Sequence, residues 1–429
     1  MDRRELLIGS GAGLLALALA RPSFASPGVD EATARNAWLY ALPLIEMATT
    51  RARHMKQGLP INRLFHTRKL ADHTARTVTN PNNDTLYSIS WLDLTTGPVI
   101  LTIPPMGDRY YSAAVMDMFS NNNAVLGSRT VGREGGTFTL CGPGQASSGE
   151  RPVRVATPHA WLLLRTLVDG PEDLDAAHAA QDGFKLAGPQ GAPPPAYAGR
   201  DADPAAYFQA ARELLAADPP PASDLRALRS FGALLGQGER QIDPAVLAQG
   251  VANARAIVAG AKGRQVFVDG WSYPRANLGD FGQDYLYRAI VAMQGLAALP
   301  VAEAAYLRPQ GEADGIFKGD GLYRLNMPGN LPLDGFWSLS MYEAMPDGQG
   351  FFTDNPLGRY AIGDRTKGLK RNPDGSADIW IGRGDPGGDR TANWLPAPKS
   401  GPFFLTMRAY LPRPELLDGR WRMPPIKPA

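Results

Sequence analysis

Cysteine is almost missing from this chain: Cys141 is the only one in 429 residues. No intramolecular disulfide can form, even in an oxidising compartment. Cys141 closes the alternating run Thr137-Phe138-Thr139-Leu140-Cys141 before Gly142, so it reads as a buried structural thiol at a strand end rather than a nucleophile. Histidine is nearly as scarce. There are five, and His54, His66 and His73 are spaced by 12 and 7 residues, which fits neither one helical face nor one strand face. His159 and His178 read as isolated residues. Without cysteine partners or a His-Glu-x-x-His run, the sequence supplies no zinc-ligand set, and it names no cofactor. An excess of one charge is lacking too: 44 basic residues against 42 acidic leave +2, with no basic run. Nucleic acid is therefore not an expected partner, because phosphate recognition needs a concentrated basic footprint. No Gly-x-Ser-x-Gly elbow and no Walker-type loop marks the mature chain.

Long hydrophobic runs are absent as well. The longest, Leu6 to Ala20, has 15 residues, short of the roughly 20 that span a bilayer. It follows Arg3-Arg4 and precedes Arg21 and the small-x-small site Ser23-Phe24-Ala25. This reads as a twin-arginine export signal over residues 1–25, cleaved before Ser26, with a periplasmic or secreted destination. Cargo of that route crosses the membrane folded, which suits a protein that folds fast, assembles with its own copies or takes up a cofactor first. Gly9-Ser10-Gly11-Ala12-Gly13 precedes any strand, so it is not a dinucleotide loop.

With 44% hydrophobic residues and a mean hydropathy of −0.23, the remainder has the composition of an ordinary globular protein of two or three domains. From Asp30, a plausible N-cap, to about Met55 the apolar spacing is helical, and Pro43 is expected to kink or split that helix. From Thr77 to Leu167 short strands alternate with turns, among them Leu86-Tyr87-Ser88-Ile89-Ser90-Trp91 and Trp161-Leu162-Leu163-Leu164-Arg165. Pro204 to Leu299 is Ala/Leu-rich and helical, and strands return from Gly315. Pro424 to Pro428 cannot form a central strand and should lie on the surface. The expected units are 26–185, a β domain with a leading helix; 186–310, a linker and helical region; and 311–429, a second β domain.

Two segments carry a family resemblance. Asn80-Pro81-Asn82-Asn83-Asp84-Thr85-Leu86-Tyr87-Ser88 resembles domain-of-unknown-function family 1254. Phe336-Trp337-Ser338-Leu339-Ser340-Met341-Tyr342-Glu343, with Asn355 to Tyr360 and Asn393 to Pro398, resembles family 1214. The resemblance implies an α+β protein, mainly β with helical segments: two tandem jelly-roll-like β-sandwich domains with helices joining and flanking them. It brings no reaction and no residue roles.

Those roles are therefore read from residue chemistry. The oxygens of Asn82, Asn83 and Asp84 beside a strand suit a hard cation or a polar ligand, or else form Asx-turns that steer the backbone into the strand. Asn121, in Asn121-Asn122-Asn123, presents the same choice. Tyr87, Tyr342 and Trp394 are aromatic candidates for a flat or sugar-like ligand, with core filling as the alternative, favoured for Trp337 and Trp380. Asp84 and Glu343 form a candidate acid and base pair for a glycosidic bond. Arg359 either clamps an anion or satisfies backbone carbonyls. The functional expectation is an exported protein that binds, and by extension hydrolyses, a small polar or carbohydrate-like compound between two β domains. Its alternatives are a non-catalytic periplasmic binding or assembly protein and a metal-dependent enzyme folded before export.

Overall fold

The computed structural model describes residues 29–429 apart from 77–78, 147, 237–241, 262–264 and 347. The expected export signal lies outside the described residues. Helix α1 (Glu31–Lys56) opens the structure, with the Asp30 carboxylate accepting from the Thr33 amide at 2.7 Å as its N-cap. Helix α1 continues through Pro43 and is not split there. Tyr40, Ala41, Leu42, Leu44 and Ile45 are all buried around that proline. Packing on this scale offsets the roughly 3 kcal/mol that an interior proline costs a helix.

Strands then follow in close order: β1 (Phe65–His66), β2 (Thr85–Asp93), β3 (Val99–Ile103), β4 (Tyr111–Asp117), β5 (Asn122–Gly127), β6 (Gly136–Cys141), β7 (Pro152–Arg154) and β8 (His159–Leu167). Helix α2 (Leu174–Gly183) and β9 (Lys185–Ala187) complete this unit. They form two open sheets, ordered β1-β2-β8-β4-β5 and β7-β6-β3-β9. Period-two alternation sends Leu92, Leu101, Val115, Leu140 and Leu162 into the layer between them. The other face of the larger sheet, with Ile89, Trp91, Ala114, Trp161 and Leu163, packs against the helical layer.

That layer consists of α1 with α3 (Pro204–Ala217), α4 (Leu225–Ser230), α5 (Gly232–Leu235), α6 (Pro244–Gly260) and α7 (Tyr285–Gln294). Among the described residues, no helix is long and apolar enough to cross a membrane.

The second sandwich uses β10 (Trp271–Ser272), β11 (Ala304–Pro309), β12 (Tyr323–Met327), β13 (Trp337–Ala344), β14 (Gly350–Phe351), β15 (Ala361–Gly363), β16 (Ala377–Gly382), β17 (Trp394–Pro396), β18 (Phe403–Tyr410) and β19 (Lys427–Pro428), with α8 (Pro414–Leu417) before the last. One sheet runs β10-β11-β18-β13-β14 with β15 also on β13, and the other runs β17-β16-β12-β19. Leu307, Leu325, Leu339, Ile379, Leu405 and Met407 fill the space between them. This sandwich recruits β10 and β11, both N-terminal to residue 311. Of the closing Pro-rich segment, Lys427 and Pro428 form an exposed edge strand, β19, on β12. The architecture is α+β, with two sandwich-like β units and helices between and around them.

Candidate functional site

The expected β-side cluster begins with the Asn80–Asp84 loop, which docks on the second sandwich. Asn80 adopts φ 53°, a left-handed conformation that asparagine tolerates better than most residues. The Asn82 side chain accepts from the Asp84 amide at 2.7 Å, an Asx-turn that leads the chain into β2. The same side chain donates to the Tyr410 hydroxyl at 3.0 Å. Asp84, 6% exposed, accepts from Ser338 at 2.6 Å and from Tyr410 at 3.2 Å, with an Arg365 nitrogen 3.9 Å away. Ser338 and Tyr410 lie on β13 and β18, so a carboxylate of the first sandwich is held by hydroxyls of the second.

Arg408 on β18 extends the network. It donates to Ser340 at 2.6 Å and to the Tyr342 hydroxyl at 2.7 Å, and to the carbonyls of Asn80 and Pro81 at 3.2 Å each. Tyr342 in turn donates to the Pro81 carbonyl at 2.7 Å. Burial opposes the Arg408 charge, but Tyr342, Tyr410 and Asp84 outweigh it and hold its pKa above the ordinary value. Burial, reinforced by Asp84, keeps the Tyr410 phenol protonated far above its usual range.

Strand alternation explains why these polar groups share a face. On β13, Ser338, Ser340 and Tyr342 point one way and Leu339 and Met341 point into the sandwich. The register pairs Tyr306 and Ser338 with Arg408, and Thr406 with Ser340. Tyr306, Arg308, Thr406 and Arg408 therefore belong to the same polar face. On the first sandwich, Arg165 of β8 pairs with Tyr87 on one side and Ser112 on the other. Its guanidinium lies 5.5 Å from the Tyr87 ring centroid. Burial works against its charge, and Tyr87, Tyr306, Tyr110 and Tyr410 more than restore it. The hydrogen bonds of Ser338 and Tyr410 to Asp84, and of Arg408 to the Asn80 and Pro81 carbonyls, set the two faces against each other. Burial raises the Tyr306 pKa, and the Arg165 and Arg408 charges oppose that rise. Tyr87, Tyr306, Arg308 and Thr406 are only partly buried, so they form the margin of this seam.

The sequence candidates divide accordingly. Asn82, Asp84, Tyr87 and Tyr342 come together at the seam. Asn83 donates to the Ala71 carbonyl instead. Asn121 is held by Asp117 and accepts from the Phe281 amide at 3.1 Å. Arg359 donates to the carbonyls of Ala392 and Trp394 at 3.0 and 2.7 Å, and the buried Trp394 indole donates to the Gly382 carbonyl at 2.9 Å. Trp337 is buried as core, whereas Trp380 is half-buried between Arg324 and Arg390. Glu343 is ion-paired with Arg76 at 3.2 Å. It lies five residues beyond Ser338 on β13, about 16 Å along the strand and on the opposite face. Two glycosidase carboxylates stand about 5–9.5 Å apart. Asp84 and Glu343 are therefore not an acid and base pair.

Among the described residues no group of three or more His, Cys, Asp or Glu is placed to hold a metal. His54, His66 and His73 serve separate partners: Trp91, Ser88 and Tyr360. His159 is not isolated, since its Nδ1 meets the buried Asp218 carboxylate at 3.0 Å. Sequence reasoning missed Arg165, Arg308, Arg408 and Tyr306. The available signal was an arginine inside or at the end of an otherwise apolar strand, as in Leu162-Leu163-Leu164-Arg165 and Leu405-Thr406-Met407-Arg408.

Comparison with known proteins agrees with this division of the chain. Residues 61–188 match the family described as "Protein of unknown function (DUF1254)" and residues 303–414 that described as "Protein of unknown function (DUF1214)". No curated protein matches. A crystal structure of the VPA0106 protein from Vibrio parahaemolyticus is similar at a TM-score of 0.71 and 21% identity, over 94% of this chain and all of that one. A putative uncharacterized protein from Burkholderia cenocepacia aligns at a TM-score of 0.45 and 12% identity, over 86% of this chain and 84% of its own. The chain joins a family 1254 segment to a family 1214 segment in the order that its two motifs set.

Proposed function

We propose that this protein binds a small polar molecule in the seam between its two β sandwiches, without acting on it chemically. The observation that supports the reading is the inward turn of a polar sheet face. An antiparallel sheet ordinarily gives its polar side to water, yet Tyr306, Ser338, Ser340, Tyr342 and Arg408 face the first sandwich, with Ser338, Ser340, Tyr342 and Arg408 all buried. The partly buried margin of Tyr87, Tyr306, Arg308 and Thr406 gives that face an approach from solvent. Binding sites between units are commonly built this way, with a few convergent polar groups among aromatic side chains. The separation of Asp84 from Glu343 favours binding over hydrolysis. The export signal read at Arg3-Arg4 supports a periplasmic or secreted location for this activity.

Thr406→Trp tests the site, because Thr406 stands on the partly buried margin opposite Ser340 and the larger side chain occupies that space. A panel of small polar compounds, charged and neutral, is screened by thermal shift on the parent and the variant. The expected result is stabilisation of the parent by at least one compound and at least a tenfold weaker response in the variant. Equal stabilisation of both proteins would move the binding site elsewhere.

A further inference from the structure

Resting on that reading, we infer that the ligand of the seam is a carboxylate and that Arg165 selects it. Arg165 is 5% exposed, at the centre of the sheet face that meets the second sandwich. Its Nη2 donates to the Ala297 carbonyl at 3.0 Å, while its buried Nη1 has no hydrogen-bond partner among the described residues. No described carboxylate comes within ion-pair distance of this guanidinium. Glu303, the acidic group that feels it, is already held by Arg129 and Tyr110 at 3.0 Å each.

Arg308 repeats the pattern. Its Nε has no partner among the described residues, it joins no described ion pair, and its guanidinium lies 4.1 Å from the Phe404 ring centroid. Burial draws its pKa down to about 10, which leaves it charged at neutral pH. Arg408 gives its hydrogen bonds to hydroxyls and carbonyls. Arg365 has Asp169 and Asp364 within 4 Å for its own charge. Arg165, Arg308 and Arg408 join no described ion pair, and the one carboxylate of their network, Asp84, supports the Arg408 charge and lies 3.9 Å from Arg365. Three positive charges against one negative leave two uncompensated.

A buried guanidinium without a counter-charge is costly, and losing one partner of a buried pair leaves that cost uncompensated. A ligand anion supplies the missing partner through a charge-assisted hydrogen bond to a planar, always protonated donor. The Tyr87 ring beside Arg165 and the Phe404 ring beneath Arg308 offer flat apolar contact to the rest of the molecule. A carboxylate fits better than a phosphate. Arg165 has one nitrogen tied to the Ala297 carbonyl and one left free, which a flat two-oxygen group satisfies without leaving further acceptor oxygens unpaired in the buried seam, as the additional oxygens of a phosphate would be.

The test is calorimetric titration of the full chain at low salt and pH 7 with matched pairs, benzoate with benzamide and succinate with succinamide, and with inorganic phosphate. A carboxylate is expected to bind at least tenfold more tightly than its amide. In Arg165→Met that preference is lost, while the thermal midpoint without ligand stays level or rises, because an uncompensated buried charge has gone. A purely structural arginine would instead lower that midpoint. Arg308→Gln, at a partly buried position with no ion pair to break, keeps the fold and weakens carboxylate binding as well. Amides that bind as well as acids overturn the carboxylate inference and leave the seam in place. Binding of phosphate alone overturns it too, as does a chain that binds none of these compounds. Carboxylate binding that survives in Thr406→Trp overturns the seam reading itself.

Discussion

His54 shows how one side chain can carry a pH dependence. Its Nδ1 accepts from the Trp91 indole at 3.1 Å, and its ring packs edge-on to Trp161 with centroids 5.7 Å apart. Burial first, then the neighbouring Arg53 charge, lowers its pKa from 6.5 to about 4. The unfolded chain therefore takes up the proton before the folded one. The contribution of His54 to stability is intact above about pH 6.5 and is lost as the pH falls towards about 4. Denaturant midpoints measured between pH 7 and pH 4 should fall for the parent and flatten for His54→Gln, which keeps an acceptor for the indole. Taking the difference between the two proteins cancels the buried carboxylates Glu46, Asp117 and Glu303, whose pKa values burial raises. A slope unchanged in the variant would assign the effect to another group.

At the scale of elements, the contact between the Asn80 loop and β14 carries the docking of the two sandwiches. The Asn80 amide donates to the Gly350 carbonyl at 2.9 Å, and the Gly350 amide donates to Thr79 at 3.0 Å. A Cβ on Gly350 would meet the edge of the Phe404 ring and lie 2.7 Å from the Asn80 Oδ1. Phe404 is 2% exposed and stacked on Tyr342, so it has little room to yield. Gly350→Ala should cost about 1–3 kcal/mol, the usual range for overpacking, and calorimetry should show a lower unfolding midpoint. An unaffected midpoint would mean that the loop adapts freely. The sequence made part of this arrangement legible. Asp30 as a cap, the Asn82 Asx-turn into β2 and the alternation of β13 all follow from local chemistry. The unbroken run of α1 through Pro43 does not, because the packing that overrides the proline comes from distant helices. The seam arginines were equally hidden. Alternation tells which residues share a face, but only strand order and register reveal that the polar face of β11, β18 and β13 is turned to another sheet.

For the whole molecule, the network at Asp84 ties the stability of the two β units together. Each sandwich has its own apolar layer, yet Phe336 and Tyr410 of the second belong to the core that also holds α1 and Trp91. The two rings stack at 4.0 Å, and Tyr110 of the first unit packs edge-on against both. A fragment limited to residues 311–429 should fail to form a monomeric folded unit, since it lacks β10 and β11 and exposes this face. Sedimentation and circular dichroism of that fragment check this, and a cooperatively folded monomer would contradict it. The intact chain should unfold in one calorimetric transition, and Asp84→Asn, which removes a buried charge-assisted acceptor, should lower its midpoint or split it in two.

The solitary thiol gives experimenters an advantage. Cys141 is fully covered, with its Sγ 3.6 Å from the Thr139 carbonyl oxygen, so reagents that label exposed thiols should pass it by in the native protein. A cysteine introduced at Leu417, exposed at the end of α8, with a second at an exposed site on the first sandwich such as Ile100, would then be the only reactive pair in the molecule. A fluorophore or spin label on each would report the width of the seam with and without a bound acid, and no background cysteine would have to be removed first.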